Sequence, residues 1–469
     1  MKPLTLQQVR QAVAGKSQHP LRPDMPAVQA VCTDTRAMQP NSLFVALRGE
    51  NFDAHAFLQV AAERGAIAAV VEREPNPEIP GLVIIKVEDT RRALGKLAKF
   101  ARQQLTNTKV IAVAGSNGKT STKHLIHAVL STRLRGTLSP KSFNNDIGVP
   151  LTIFPADPSH DYIVLEMGTN HHGEIRVLSE MALPDIAVLT NCSAEHLEGL
   201  DDLPGVRREN ACITMGMNAK GLLIVNGDDP DLLAAVAPFP GRKLTFGTTR
   251  SCDLFATDIA CGAEGVRFKL NGSRVELFVP LLGRHNAINA LAAVAVGRRL
   301  GLNDQQIAEG LAGAKPAEMR LQMQALGEVR MINDAYNANP ASMHAALQTL
   351  RDLPVQGRRI AVLGEMRELG ATHDRYHREI GVAAAGANLD QLACVAGGGQ
   401  LIADAAEAAG MPAERIARFP DSAAAAAVVP GWLSAGDLVL LKASRGIRLE
   451  TVANAIVDRF APASRRAAS

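Results

Sequence analysis

"AVAGSNGKTST", residues 112–122, is a run of small residues lying between the apolar segment "VIAVA" (110–114) and the stretch "TSTKHLIHAVLSTRL" (120–134). A phosphate-binding loop G-x-x-x-x-G-K-[ST] would end in Gly118, Lys119 and Thr120, yet its first glycine, five residues before Gly118, is replaced by Val113. Either the match is accidental or the chain handles nucleotide with a variant loop. An anion cradle needs backbone N–H groups converging from small residues, followed by a helix whose N-terminal dipole adds attraction. Gly115, Ser116, Asn117 and Gly118 supply such residues, Lys119 is placed to reach β and γ phosphates, and Thr120 offers a hydroxyl to Mg²⁺. The bland alternative is a strand-to-helix turn in which Gly and Asn only satisfy backbone geometry. The flanks favour the cradle: "VIAVA" reads as a buried strand, and Leu125, Ile126, Val129 and Leu130 recur on one face of the helix that follows.

Outward from the loop, β-branched runs alternate with amphipathic stretches, the pattern of a parallel sheet wound by helices. "YIVLE" (162–166) and "IAVLTN" (186–191) are further strands, each stopping at a polar residue. Ligands of such sheets bind beyond the carboxyl ends of the strands, so Gly115, Glu166 and Asn191 are expected to open onto one crevice. A second alternating block follows "AKPAEMRLQ" (314–322), with strands "VRMIND", "RIAVLGE", "QLACVAG" and "DLVLLK". The first hundred residues, with "VCTDTR", "SLFVALRGE" and "AIAAVVE" separated by turns, precede the loop and read as a separate unit. The fold class is α/β with three domains, at 1–107, 108–316 and 317–469. That count agrees with a length of 469 residues at about 150 residues per domain.

Fifty Lys and Arg against 47 Asp and Glu leave a net charge of +3, which implies no attraction to nucleic acid or to a membrane surface. Six cysteines without a C-x-x-C pair suggest neither a zinc site nor a disulfide framework. No signal core and no run of roughly 18 apolar residues is present, so a cytoplasmic protein without membrane insertion is expected. Disorder is expected only in the tail "APASRRAAS" (461–469).

The string "GSNGKTST" resembles the loop of the Mur ligases and their folylpolyglutamate synthetase relatives, which form amide bonds with ATP. The resemblance extends through "TDTR" (33–36), "SLFVALRGENFDAHAF" (42–57), "SFNNDIGVPLT" (142–152), "LEMGTNHHGEI" (165–175), "TNCSAEHLEGL" (190–200), "LLGRHNAINALAA" (281–293), "NDAYNANPASM" (333–343), "VLGEMRELG" (362–370) and "KASRGIRLE" (442–450). It implies an N-terminal UDP-sugar-binding domain, a central P-loop ATPase-like domain and a C-terminal Rossmann-like domain. Within the family the chain is most similar to the members that join D-alanyl-D-alanine to UDP-N-acetylmuramoyl-tripeptide in peptidoglycan precursor synthesis. The cofactors implied are ATP and two Mg²⁺ ions, and a monomer is expected.

Joining a carboxylate to an amine in water is uphill, so the carboxylate must first become an acyl phosphate. Phosphoryl transfer rests on positioning and charge neutralisation. Lys119 is expected to neutralise the phosphates, and Glu166, closing an apolar strand, is the natural carboxylate for Mg²⁺, a hard ion. The resemblance puts His196 of "HLEG" at a second metal and Gly115 to Ser121 around ATP. By the same resemblance Asn289 borders adenine, Arg320 approaches the phosphates and Asp334 the ribose. Thr35, Arg36, Arg48, Asp53 and His55 are implied at the UDP-sugar, and Asn144 and Asn145 at the sugar or nucleotide. Asn337, Asn339, Ser342, Lys442, Ser444 and Arg445 are implied near the dipeptide; most of these polar residues also suit turns.

One departure stands out. Many relatives carry A-K-G-E after "HLEG", with a carbamylated lysine supporting the second metal, whereas alignment of "GVRRENACI" (205–213) puts Asn210 at the lysine and Cys212 at the glutamate. Asn210 then contacts the metal region through its amide or water, Glu209 compensates, or the second metal is held more weakly. Two other enzymes and a non-enzyme are the rivals. The diamino-acid-adding ligase carries D-N-P-R where this chain has "NANPAS", and folylpolyglutamate synthetases lack the "TDTR" module. A non-catalytic paralogue binding nucleotide or muramoyl peptide is hinted at only by Asn210.

Overall fold

The computed structural model describes residues 1–461; the expected disorder beyond that, at 462–469, lies outside the described residues. Three sheets follow one another along the chain. The first has five strands, in the spatial order Lys16–Ser17, Val83–Lys86, Ala66–Val71, Ser42–Val45 and Ala30–Cys32, antiparallel only at the Lys16–Ser17 edge. The third has six, with Leu438–Lys442 inserted between Val329–Asn333 and Arg359–Gly364 and an antiparallel edge strand, Gln322–Leu326.

The middle sheet positions the loop. Lys109–Ala114 lies between Tyr162–Glu166 and Ile186–Leu189, parallel to both, with Val113 opposite Glu166 and Ala114 opposite Leu189. The strand is buried on both faces: Val110, Ala112 and Ala114 join one apolar cluster, Ile111 and Val113 the other. That period of two is why a β-branched apolar run forms here. Val113, the residue in place of the loop's first glycine, is thus a strand residue with no exposed surface, and the cradle starts at Gly115. The helix Lys119–Leu130 buries Leu125, Ile126, Val129 and Leu130 as its spacing predicts, each contributing about 1.5–3 kcal/mol.

Beyond Arg242–Gly247 the sheet continues into an antiparallel meander, Leu254–Gly262, Gly265–Leu270 and Glu276–Val279. The helix Thr90–Gln103 links the first two sheets, because its Leu94, Leu97 and Ala98 share a core with Ile163 and Leu165 of the middle sheet. Arg102 at its end donates to Asp185 Oδ2 at 2.8 Å and to the carbonyls of Ala182 and Leu183.

Candidate functional site

A cavity of about 1100 Å³ lies at the carboxyl ends of the middle strands, walled by residues from all three sheet regions. Gly115, with φ +127°, cannot carry a side chain, since a Cβ there would stand 2.2 Å from Thr190 Oγ1. Asn191 closes the loop from the next strand: its carbonyl accepts from Ser116 N–H at 2.8 Å and its Oδ1 from Asn117 N–H at 3.1 Å. Among the described residues no group accepts from the N–H groups of Gly118, Lys119, Thr120 and Ser121. Those four amides are the donors a phosphate needs. Lys119 Nζ folds back onto the carbonyls of Gly115 (2.6 Å) and Ser116 (2.9 Å), with Glu195 Oε1 at 3.9 Å.

Glu166 is 1 % exposed and held from three sides. Its N–H donates to Ser139 Oγ (3.0 Å), Asn144 Nδ2 donates to Oε1 (3.2 Å), and Lys123 Nζ stands 3.0 Å from Oε2. Burial pushes its carboxyl up, but Lys123, Arg320 and Lys119 outweigh that and hold it below the usual range. Thr120 Oγ1 and Glu166 Oε2 are both buried without a hydrogen bond. Two buried oxygens with acceptor capacity left, one of them beside the Lys123 ammonium, fit a hard divalent cation, which needs only one or two protein oxygens beside phosphate and water.

His196 lines the cavity in a left-handed conformation (φ 50°). Its Nδ1 faces the Glu368 carboxylate across the boundary with the third sheet, which leaves Nε2 for a ligand. Asn289 Nδ2 donates to Asn286 Oδ1 (3.0 Å), and Asn286 Nδ2 to the Leu282 carbonyl (2.7 Å). Asn289 Oδ1 would lie 2.5 Å from a Cβ on Gly118, so the loop presses directly on this helix. Arg320 stacks over Tyr336 at 4.2 Å, and Asp334 accepts from Leu321 N–H and from buried Lys442 Nζ at 2.7 Å. Asn145, Asn337 and Ser342 also reach the cavity wall.

Some expected ligand residues are instead occupied in holding the chain. Asn339 and Ser342 form the capping box of the helix Pro340–Asp352, although Asn339 Nδ2 also reaches Asn117 Oδ1 at 3.0 Å. Ser444 is buried, accepting from Arg367 N–H, and Arg445 pairs with Glu450 at 3.4 Å; neither lines the cavity. His55 is 8 % exposed with both ring nitrogens engaged, Nδ1–H to Asp53 Oδ1 (2.6 Å) and Nε2 accepting from Glu72 N–H (2.9 Å). Asp53 also binds Arg73, and the His55 N–H and Arg73 hold its carboxyl far below the usual range. Arg36 forks onto Asp34, which caps the short turn Thr35–Ala37, the Thr35 carbonyl accepts from Arg64 at 3.1 Å, and Arg48 bridges Asp53 through backbone. None of these five first-sheet residues lines the cavity.

Asn210 is also occupied: its Nδ2 donates to the Val206 carbonyl at 2.9 Å in a fully buried setting. Glu209 does not compensate from a metal site, because it accepts from Gly173 and Ile175 N–H, both at 2.7 Å, at the start of the helix Glu174–Ala182. Lys123, Arg91, Tyr336, His285 and Glu368 contribute to the site region without having been singled out in the sequence. The one legible signal was a lysine set among apolar positions of a helix, at 123.

Three family models match the chain in succession: the Mur ligase family catalytic domain at 27–102, the Mur ligase middle domain at 113–297 and the Mur ligase glutamate ligase domain at 319–445. A Bacillus subtilis UDP-N-acetylmuramoyl-tripeptide–D-alanyl-D-alanine ligase is 37% identical over 97% of this chain and 98% of its own length. The chain belongs to the Mur ligase family. The Escherichia coli ligase of the same name is 40% identical over 78% of this chain and 81% of its own. Among solved structures, MurF from Acinetobacter baumannii superposes with a TM-score of 0.88 at 31% identity, covering 98% of this chain and 99% of that one. MurF from Thermotoga maritima in complex with ADP gives 0.81 at 26% identity, over 94% and 99%. This Mur ligase is an ATP-dependent amide-forming enzyme with the three-domain α/β architecture of its family. None of its described helices is long and apolar enough to cross a membrane.

Proposed function

We propose that the chain joins UDP-N-acetylmuramoyl-tripeptide to D-alanyl-D-alanine in peptidoglycan precursor synthesis, acting in the cytoplasm as a monomer. The observation that carries the reading is the single cavity in which unpaired loop amides, Glu166 and His196 meet Arg91 from the first domain region and Asp334 and Lys442 from the third.

In this reading the terminal carboxylate of the tripeptide attacks the γ-phosphorus of ATP, and the bond to ADP breaks with its electron pair leaving on ADP. The dipeptide amine then attacks the carbonyl carbon of the acyl phosphate, orthophosphate leaves, and the nitrogen loses a proton. The amides of residues 118–121 hold the triphosphate tail, while Lys119 turns from its carbonyl contacts to the phosphates and Arg320 adds positive charge. Thr120 and Glu166 would hold Mg²⁺, with His196 Nε2 at a second ion; bound there, the metal neutralises phosphate charge. Asn339 on Asn117 and Glu368 on His196 hold the third domain against the loop, which keeps water from the acyl phosphate.

ADP release by purified protein, with UDP-tripeptide and ATP, is measured with and without D-alanyl-D-alanine. Dipeptide-dependent ADP is expected, reduced at least about 100-fold by Lys119→Ala. No dipeptide-dependent release would refute the reading.

A further inference from the structure

Lys123 is the least expected side chain near the phosphate loop. It lies one turn beyond Lys119 in the helix Lys119–Leu130, on the side that the same helix uses for its apolar residues, and it has no exposed surface. A buried ammonium is disfavoured unless fully paired. Here the partners are specific: Nζ donates to the Lys141 carbonyl at 2.6 Å and forms an ion pair with Glu166 Oε2 at 3.0 Å. Lys123 does not line the cavity, whereas Glu166 does.

The arrangement fixes Glu166 rather than consuming it. Asn144 holds Oε1 and Ser139 holds the backbone, while the contact from Lys123 to Oε2 lacks the alignment of a hydrogen bond and leaves that oxygen with unused acceptor capacity. The neighbouring Thr120 Oγ1 of the same helix is likewise buried and unpartnered. Lys123 also ties the segment 139–148 to the helix through Lys141, and Ser142 of that segment meets Tyr336 of the third domain region.

We infer that Lys123 is a positioning residue for the metal-binding carboxylate: it holds Glu166 from behind so that Oε2 and Thr120 Oγ1 present oxygens to a divalent cation without rearrangement. This rests on the proposed role of Glu166 toward Mg²⁺. Partners that hold a metal's ligands are worth about 10- to 100-fold in metal affinity. The lysine therefore acts on the metal without touching it.

The test is calorimetric binding of AMP-PNP at a series of Mg²⁺ concentrations, in the full chain and in Lys123→Met, Lys123→Gln and Glu166→Gln. The Lys123 variants are expected to need about tenfold more Mg²⁺ for half-maximal enhancement of binding, with metal-free nucleotide affinity within about twofold of the parent. A general packing defect would weaken both. A folded Lys123 variant with the parent's Mg²⁺ dependence overturns the inference. If Glu166→Gln also leaves that dependence unchanged, the Glu166 assignment itself fails; if Glu166→Gln shifts it and the Lys123 variants do not, only the inference fails. Should neither Lys123 variant fold, the double variant Lys123→Met/Glu166→Gln, with no unpaired buried charge, is expected to fold, and its failure to do so overturns the pairing.

Discussion

At position 210 an asparagine occupies the place where the family resemblance sets a carbamylated lysine, and its amide is spent on the Val206 carbonyl. Glu209 is committed to the start of the next helix. Neither side chain takes up bicarbonate, so turnover measured in bicarbonate-free buffer is expected to equal turnover with bicarbonate added. Strong activation would reveal a carbamylated lysine elsewhere. The loop glycines and Lys119 stood out by their spacing, Glu166 by its place at a strand end, and His196 by the family resemblance. Glu368 did not stand out, and Lys123 showed only as a lysine among apolar helix positions, because each acquires its role only from a partner far away in sequence, 43 residues away for Lys123 with Glu166 and 172 for Glu368 with His196. His55, implied at the UDP-sugar by the resemblance, has both ring nitrogens engaged, with Asp53 Oδ1 and Glu72 N–H, partners the sequence did not show.

The loop between Lys109–Ala114 and Lys119–Leu130 works because Gly118 adopts φ +80° with Asn289 against it. Gly118→Ala adds left-handed strain of about 1–2 kcal/mol and drives a Cβ into Asn289 Oδ1. Nucleotide affinity by calorimetry is expected to fall at least about tenfold; an unchanged affinity would show that the loop does not need this conformation. Strands buried on both faces, such as Tyr162–Glu166 and Leu438–Lys442, were readable as continuous apolar runs. The antiparallel strands Leu254–Gly262 to Glu276–Val279 were missed, because their polar, bulged alternation, with a register shift between Thr257 and Ala260, has no loop chemistry to mark it.

Across the whole molecule several imidazoles are kept neutral by burial. His124 is pushed down from 6.5 to about 4, mainly by burial and then by Lys123. Burial also lowers His127, His285 and His377, the last with Nε2 accepting from Met366 N–H. The unfolded chain protonates these rings below about pH 6.5, whereas the folded chain resists, so the unfolded state binds more protons as pH falls toward 4. Their stabilising effect is therefore complete above about pH 6.5 and is lost progressively as the pH falls from there toward 4. His373 opposes the trend: despite burial, Asp374 and Glu365 hold it up. The melting temperature is expected to rise between pH 4 and 6.5 and then level off, with a shallower rise in His124→Asn; a flat profile in this window would contradict it.

The three-part α/β organisation was visible in the sequence from two alternating blocks and a distinct leading segment. The contacts that bring the middle and third parts together, Asn117 with Asn339 and His196 with Glu368, belong to folded geometry and have no local signature. What those contacts enclose is the central claim: a site where ATP energises a peptide carboxylate. UDP-tripeptide labelled with heavy oxygen in its terminal carboxylate, turned over with ATP and D-alanyl-D-alanine, tests it most directly by mass spectrometry of the released orthophosphate. One heavy oxygen transferred to phosphate for each amide formed is the predicted result. Amide formation with unlabelled phosphate would contradict the account.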